Sequence, residues 1–218
     1  MKYLLVGGTC LLLILAFVAG SAYYRDYQVK KYDFMAQENA ELFVRDHSQT
    51  LGSPDARVHL VEFMDPACET CAAFSPFVKM LMARHPGRIR LILRYAPFHD
   101  GADGFVAIVE AARKQGKYWE TLDAMFKSQP YWASHSHPQP QRLWEFLPRD
   151  LDLAQLRRDM QDPEIARIIA QDIADAKALN VQKTPGYFVN GKPLQTFGYR
   201  ELQALIEAEL KIVYPDAY

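Results

Sequence analysis

Apolar residues in this chain recur with three spacings, and each spacing predicts a different element. The first is an unbroken run. Residues Tyr3 to Tyr24 carry no charged side chain, and their centre reads Leu11-Leu12-Leu13-Ile14-Leu15-Ala16-Phe17-Val18. An apolar helix of about 20 residues crosses a bilayer, so this run reads as a transmembrane anchor. The rival is a signal peptide, with Lys2 as its basic start and Ala19-Gly20-Ser21-Ala22 as small residues for cleavage. The run is longer than the usual apolar core of such peptides, which favours the anchor. Lys2 lies on one side and Arg25, Lys30 and Lys31 on the other. That count weakly favours a cytosolic body and conflicts with export under either reading.

The second spacing is the short β-branched, aromatic or alternating run. Val58 to Met64 predicts a strand that Asp65-Pro66 ends, and Arg88 to Tyr95 predicts another. Tyr187-Phe188-Val189 predicts a third, turned by Asn190-Gly191 into a return strand near Pro193.

The third spacing, of three and four, marks helices. Cys68 to about Arg84 places Phe74, Phe77, Val78, Leu81 and Met82 on one face. Phe105–Lys114 and Tyr118–Lys127 follow, split at Gly116, and Tyr118, Trp119 and Phe126 are read as core. Arg142–Leu147 is a short helix, and Leu153–Met160 starts on an Asp152 cap. Asp162-Pro163-Glu164 opens a helix to about Leu179, with Ile165, Ile168, Ile169 and Ile173 expected inside. Glu201–Ile212 closes the chain. Between Tyr27 and about His47 the pattern is that of a polar helical linker, ended by the turn cluster Leu51 to Asp55.

Strand–helix–strand at the front and hairpin–helix at the back predict an α/β fold, a small mixed sheet with helices on both faces. The expected organisation is an anchor or signal peptide over 1–24, a linker over 25–50, one domain over 51–212 with a helical insertion at about 100–180, and a tail over 213–218.

Composition narrows the function. The chain has 218 residues, is 50% hydrophobic and 23% charged, and has 25 Lys plus Arg against 26 Asp plus Glu, a formal net charge of −1. This excludes a wholly disordered chain and argues against non-specific nucleic-acid binding, which needs a basic surface. Neither a Gly-rich phosphate loop nor HExxH is present. There are three cysteines, and Cys10 lies in the apolar run without a convincing lipobox.

The other two form Cys68-Glu69-Thr70-Cys71, directly after a strand and at the start of a helix. Residues i and i+3 share a helix face, so the sulfurs can pair. Cys68 at the helix N-terminus meets unpaired N–H groups that favour a thiolate and mark it as the attacking sulfur. Cys71, one turn inside, is the resolving thiol. Two rival classes remain. One is a zinc or copper module combining the CxxC with His85, His99, His135 or His137, although structural zinc usually takes four ligands and no second CxxC exists. The other is a membrane-anchored chaperone or binding domain with a redox-silent CxxC. His99, after the second strand, could lie near the motif, but a surface position is favoured. His135 and His137 are expected in a solvated Pro-rich loop.

Val61-Glu62-Phe63, the CxxC and Thr184-Pro185-Gly186-Tyr187-Phe188-Val189-Asn190-Gly191 together resemble the thioredoxin superfamily, and its DsbA-like branch in particular. The long connection between the two motifs resembles that branch's helical insertion. The resemblance spans about Leu51 to Leu210. It implies a thioredoxin-like fold and thiol–disulfide exchange on protein substrates, with no organic cofactor or metal. It also implies a place in the bacterial envelope and a membrane redox partner, of the DsbB or VKOR type for oxidation or the DsbD type for reduction.

By the same resemblance Pro185 takes the cis-proline position facing the cysteines, where the residues alone suggest an ordinary trans proline opening a strand. Thr184 would offer a hydroxyl to the Cys68 thiolate, and its backbone an edge to an extended peptide. Glu62 would relay a proton to or from Cys71. Alternation leaves it equally open whether Glu62 lies under the sheet or at a wet edge. Two departures point away from a strong oxidase. The founding DsbA has Pro-His between its cysteines, whereas Glu69 adds a like charge, so a less depressed Cys68 pKa is expected. Thr184, in place of valine, is similar to the reductase and isomerase branches.

Overall fold

The computed structural model describes residues 12–21, 23, 24, 27, 40–133 and 139–217. The chain divides into two units, Met1–Ala40 and Glu41–Tyr218. In the first, residues 12–21 are helical. Among the described residues no helix is long and apolar enough to cross a membrane. The rest of the expected anchor, with Cys10, lies largely outside the described residues, as do most of the expected linker and the loop with His135 and His137.

A single helical turn, α1 (Ala40–Phe43), contains the first residues of the second unit. Five strands follow through the chain: β1 (Gln49–Leu51), β2 (Val58–Met64), β3 (Ile89–Tyr95), β4 (Gly186–Val189) and β5 (Lys192–Pro193). They form one mixed sheet in the order β1-β3-β2-β4-β5. β2 and β3 are parallel, with Val58 opposite Ile89 and Glu62 opposite Leu93. β4 runs antiparallel to β2 and places Tyr187 opposite Glu62. α2 (Glu69–Arg84) crosses from β2 to β3. Between β3 and β4 lie α3 (Ala102–Arg113), α4 (Tyr118–Trp132), a 3₁₀ turn (Pro140–Glu145), α5 (Leu153–Asp159) and α6 (Pro163–Ala178). α7 (Tyr199–Val213) closes the chain.

The strand alternation distributes the core to both faces of the sheet. Val58, Leu60 and Met64 of β2 join Leu91 and Leu93 of β3, Tyr187 and Val189 of β4, and the inner faces of α2, α4 and α7. Val61, Phe63, Ile92 and Phe188 point the other way, to Phe43, Ala176 and Leu179. Each such aliphatic or aromatic side chain contributes about 1.5–3 kcal/mol by leaving water. With both faces covered, β2 and β3 are buried along nearly their whole length, which is why apolar residues fall on both of their faces.

The local signals act as physical chemistry requires. The Asp152 side chain accepts from the N–H of Ala154 and Gln155, and Asp162 accepts from Glu164 with Pro163 at the first position. Asn190 and Gly191 both take positive φ, 47° and 81°, as a tight hairpin turn of this twist needs.

Three expectations are corrected. β1, an edge strand antiparallel to β3, occupies part of the expected helical linker. The short helix expected at Arg142–Leu147 is a 3₁₀ turn beginning two residues earlier, at Pro140. Ile173 is 40% exposed, so the inner face of α6 is not a row of isoleucines. It is Ile165, Ile168, Asp172, Asp175 and Ala176, because β3 presents the fully buried Arg94 beneath it. The Asp172 carboxylate accepts from Arg94 Nη2 at 2.6 Å and from the Tyr95 N–H at 2.7 Å, and Asp175 accepts from Arg94 at 2.5 Å.

Candidate active site

The parallel strands β2 and β3 end at the same edge of the sheet, so the loops after them meet there. At the end of β2, Asp65 is fully buried. Its Oδ1 accepts from the Ala67 N–H at 2.8 Å and its carbonyl from the Cys68 N–H at 3.0 Å. This turn delivers Cys68 to the N-cap of α2 in an extended conformation.

Cys68 and Cys71 are free thiols. As a thiol, Cys68 donates to the Thr184 carbonyl at 3.3 Å, and the Thr184–Pro185 peptide bond is cis. The trans proline that the residues alone suggest is thereby corrected. The structure thus brings Cys68, Cys71, Thr184 and Pro185 together from opposite ends of the chain.

The two sulfurs are in opposite electrostatic states. The Cys68 pKa is lowered to about 5, chiefly because the Cys71 thiol donates to its sulfur. Burial opposes this, and the Thr184 hydroxyl and the N–H groups of Cys71 and Thr70 add to it. The pKa of Cys71 is pushed well above 9, first by burial and then by its bond to Cys68 and the nearby Glu62. A stabilised thiolate beside a buried protonated thiol gives one sulfur that attacks or leaves and one that resolves.

Glu62 lies under the sheet, 3% exposed, on the β2 face that α2 covers. Burial raises its pKa to about 8, the Tyr187 hydroxyl pulls it down, and Cys68 pushes it up. The Tyr187 hydroxyl stands close enough to act on the carboxyl, but no hydrogen bond of good geometry closes onto it. Glu62 also lines a narrow crevice between α2 and α4, with Ser75, Trp119 and Phe126 among its walls and Lys79 and Asp123 beside them. Lys79 and Asp123 form an ion pair there, each about one-third exposed.

Sequence reasoning favours the surface for His99 over a position near the motif. It keeps 38% of its side-chain exposure, yet its Nδ1 lies 2.7 Å from Asp65 Oδ2. Asp65 and His99 therefore belong to the site. The signal was present: both follow parallel strands, and the carboxyl ends of such strands are where open α/β sheets build their sites. His85 caps the far end of α2, roughly 25 Å from Cys68 at 1.5 Å per residue. Among the described residues no three His, Cys, Asp or Glu side chains gather as a metal-ligand group.

An aromatic group flanks the start of α2. Phe74 stacks on Tyr199 at 4.1 Å and packs on Phe197 at 4.7 Å. Phe197 and Tyr199 remain about half exposed, as does Phe98 beside His99.

A family model described as thioredoxin matches residues 45–208. The chain is 29% identical over 180 residues to a probable disulfide bond formation protein D of Bacillus anthracis, covering 78% of this chain and 82% of that one. It is 28% identical over 158 residues to a Na(+)/H(+) antiporter NhaA of Herminiimonas arsenicoxydans, covering 72% of this chain and spanning 25% of that protein's length. Among solved structures, a thioredoxin-like oxidoreductase from Silicibacter pomeroyi superposes with a TM-score of 0.67 at 30% identity, over 78% of this chain and 96% of that one. BdbD from Bacillus subtilis superposes with a TM-score of 0.65 at 25% identity, over 75% and 93%. With the family match running through the cysteine motif, the cis-proline turn and the helical insertion between them, the chain belongs to the thioredoxin family.

Proposed function

We propose that this chain is a protein thiol–disulfide oxidoreductase that works through the Cys68–Cys71 pair, in the oxidising direction, in a bacterial cell envelope. The observation that supports the direction is the placing of Cys68 at the N-cap of α2, where the Cys71 thiol, the Thr184 hydroxyl and the N–H groups of Cys71 and Thr70 converge on its sulfur and lower its pKa to about 5. A stabilised thiolate stabilises the reduced pair, and a stable reduced form is what makes the disulfide an oxidant.

In the forward reaction a substrate thiolate attacks Cys68 Sγ of the disulfide. The Cys68–Cys71 bond breaks and the Cys71 sulfur leaves with the electron pair. Glu62, protonated below pH about 8, gives its proton towards Cys71, whose high pKa makes that transfer downhill. A second substrate thiolate then attacks the substrate sulfur of the mixed disulfide. Cys68 leaves as a stable thiolate, and the substrate departs oxidised. The backbone beside cis-Pro185 offers an edge for the extended peptide, Thr184 holds the thiolate, and the exposed Phe98, Phe197 and Tyr199 offer apolar contact. A membrane partner of the DsbB or VKOR type would reoxidise the pair; a DsbD-type partner would serve the reverse direction. The uncharged run from Tyr3 to Tyr24 would keep the domain near such a partner.

The test is the reduction potential, from equilibration in glutathione buffers with alkylated thiols counted by mass. Cys68 lies between a DsbA-type cysteine, pKa about 3.5, and thioredoxin's at about 7. The expected potential therefore lies between about −120 and −270 mV, and Cys68→Ser abolishes exchange. A pair that never forms a disulfide in that range, or exchange unchanged in the variant, rejects the proposal. A potential at or below the thioredoxin value rejects the oxidising direction.

A further inference from the structure

We propose that His99, fixed on the Asp65 carboxylate beside the head of α2, is a redox-coupled proton carrier for Cys68. Its ring holds a proton more tightly when the Cys68–Cys71 disulfide is reduced and releases part of that charge to water when the disulfide re-forms. The inference rests on the exchange reading above and deepens it.

Asp65 links two loops. Oδ1 and the carbonyl hold the turn into Cys68, while Oδ2 accepts from the His99 N–H at 2.9 Å and from the ring at 2.7 Å. A carboxylate only accepts, so the ring Nδ1 carries the proton and Nε2 is the nitrogen that titrates. The remaining exposure lets water supply and remove that proton.

Three groups with negative charge act on the ring: Asp65 from the β2–α2 turn, and Cys68 and Glu69 from the head of α2. Burial opposes the charged ring, but the pull of these three outweighs it, and the pKa of His99 is raised. Of the three, only Cys68 changes charge with redox state, being a thiolate in the reduced pair and neutral in the disulfide. The proton affinity of His99 must therefore differ between the two states.

The balance is complete. A substrate dithiol and the Cys68–Cys71 disulfide give a substrate disulfide, the Cys68 thiolate, the Cys71 thiol and one proton, with two electrons passing to the pair. His99 is placed to take a share of that proton, and solvent takes the rest. By reciprocity the protonated ring favours the thiolate, and so the reduced state. It supplies from the neighbouring loop the positive charge that the Glu69-Thr70 dipeptide lacks.

The experiment is an NMR titration of the His99 ring nitrogens in the detergent-solubilised full chain, reduced and oxidised, with the redox state verified by alkylation and mass. The pKa of His99 is expected to be higher in the reduced protein, by about 0.5 for one nearby charge partly screened by solvent. His99→Asn keeps a donor for Asp65. It is expected to raise the midpoint of thiolate absorbance at 240 nm by a similar amount. Equal His99 values in two verified redox states, or an unmoved thiolate midpoint in His99→Asn, overturns the inference while leaving the exchange reading intact. A pair that alkylation shows cannot be oxidised removes both.

Discussion

A carboxyl group whose pKa rises to about 8 when the chain folds leaves a signature in stability. Glu62 ionises near 4.5 in the unfolded chain. Between pH 4.5 and 8 the native state holds a proton that the unfolded state has released, so its contribution to stability falls as pH rises through that window and levels off above it. A group this buried costs the native state about 4 kcal/mol at pH 8. Glu62→Gln keeps the shape of the protonated acid and cannot ionise. It should stabilise the reduced protein by roughly 3–4 kcal/mol at pH 8 and by little at pH 4.5. The same change should slow exchange, because Cys71 loses its nearby acid. Urea unfolding of both proteins across pH 4.5–8.5 checks this; a pH-independent difference would show that Glu62 is ionised in the fold. In the sequence, alternation alone left the face of Glu62 open. Both faces of β2 turned out to be dry, and only the helices packed on them could show that. The cysteines were legible because a CxxC between strand and helix says which sulfur meets the N–H groups. His99 was not, because its role depends on Asp65, more than thirty residues earlier in the chain.

At the scale of elements, α6 shows how an inward face can be polar. Its apolar spacing predicted Ile165, Ile168, Ile169 and Ile173 inside, and two of the four are buried there. Asp172 and Asp175 take the remaining inner positions because β3 offers them Arg94, which also donates to the Leu42 carbonyl at 2.5 Å. Hydrophobic periodicity has no means of seeing a buried charge whose partner lies on another element. β1 was missed for a related reason: its Gln-Thr-Leu run has no pattern of its own and exists as a strand through pairing with β3. Long or well-capped elements such as α2 and α6 carried their signals locally and were read nearly to the residue. The buried cluster gives a prediction for docking of the helix. Asp172→Ala leaves Arg94 and the Tyr95 N–H without their main acceptor and should cost about 3–5 kcal/mol in urea unfolding. Adding Arg94→Met to that variant should recover part of the loss, since a buried pair removed whole costs less than one partner removed alone. No recovery would mean that Asp172 acts mainly through the Tyr95 N–H.

On the scale of the whole molecule, the sheet separates chemistry from anchorage. Cys71 and Glu62 lie on the face covered by α2. On the other face the segment before β1 is built into the fold. Phe43 packs edge-on against Phe188 at 5.1 Å, Arg45 bonds Asp175 at 2.9 Å, and His47 lies 2.6 Å from Asp172. The compact unit begins at Glu41, so residues that read as the end of a polar linker belong to the core of the domain. We propose that truncation locates this boundary. A chain starting at Glu41 should keep the thermal midpoint and reduction potential of the full protein. A chain starting at Gln49 loses the burial of Phe43, about 1.5–3 kcal/mol, and the bonds of Arg45 to Asp175 and His47 to Asp172, about 1–3 kcal/mol. Its midpoint should fall by roughly 10 °C. Its potential should hold, because the lost contacts lie across the sheet from the cysteines. Equal midpoints for the two truncations would place the domain start at β1, whereas a shifted potential in the shorter chain would show that the arm and the site are coupled through β3.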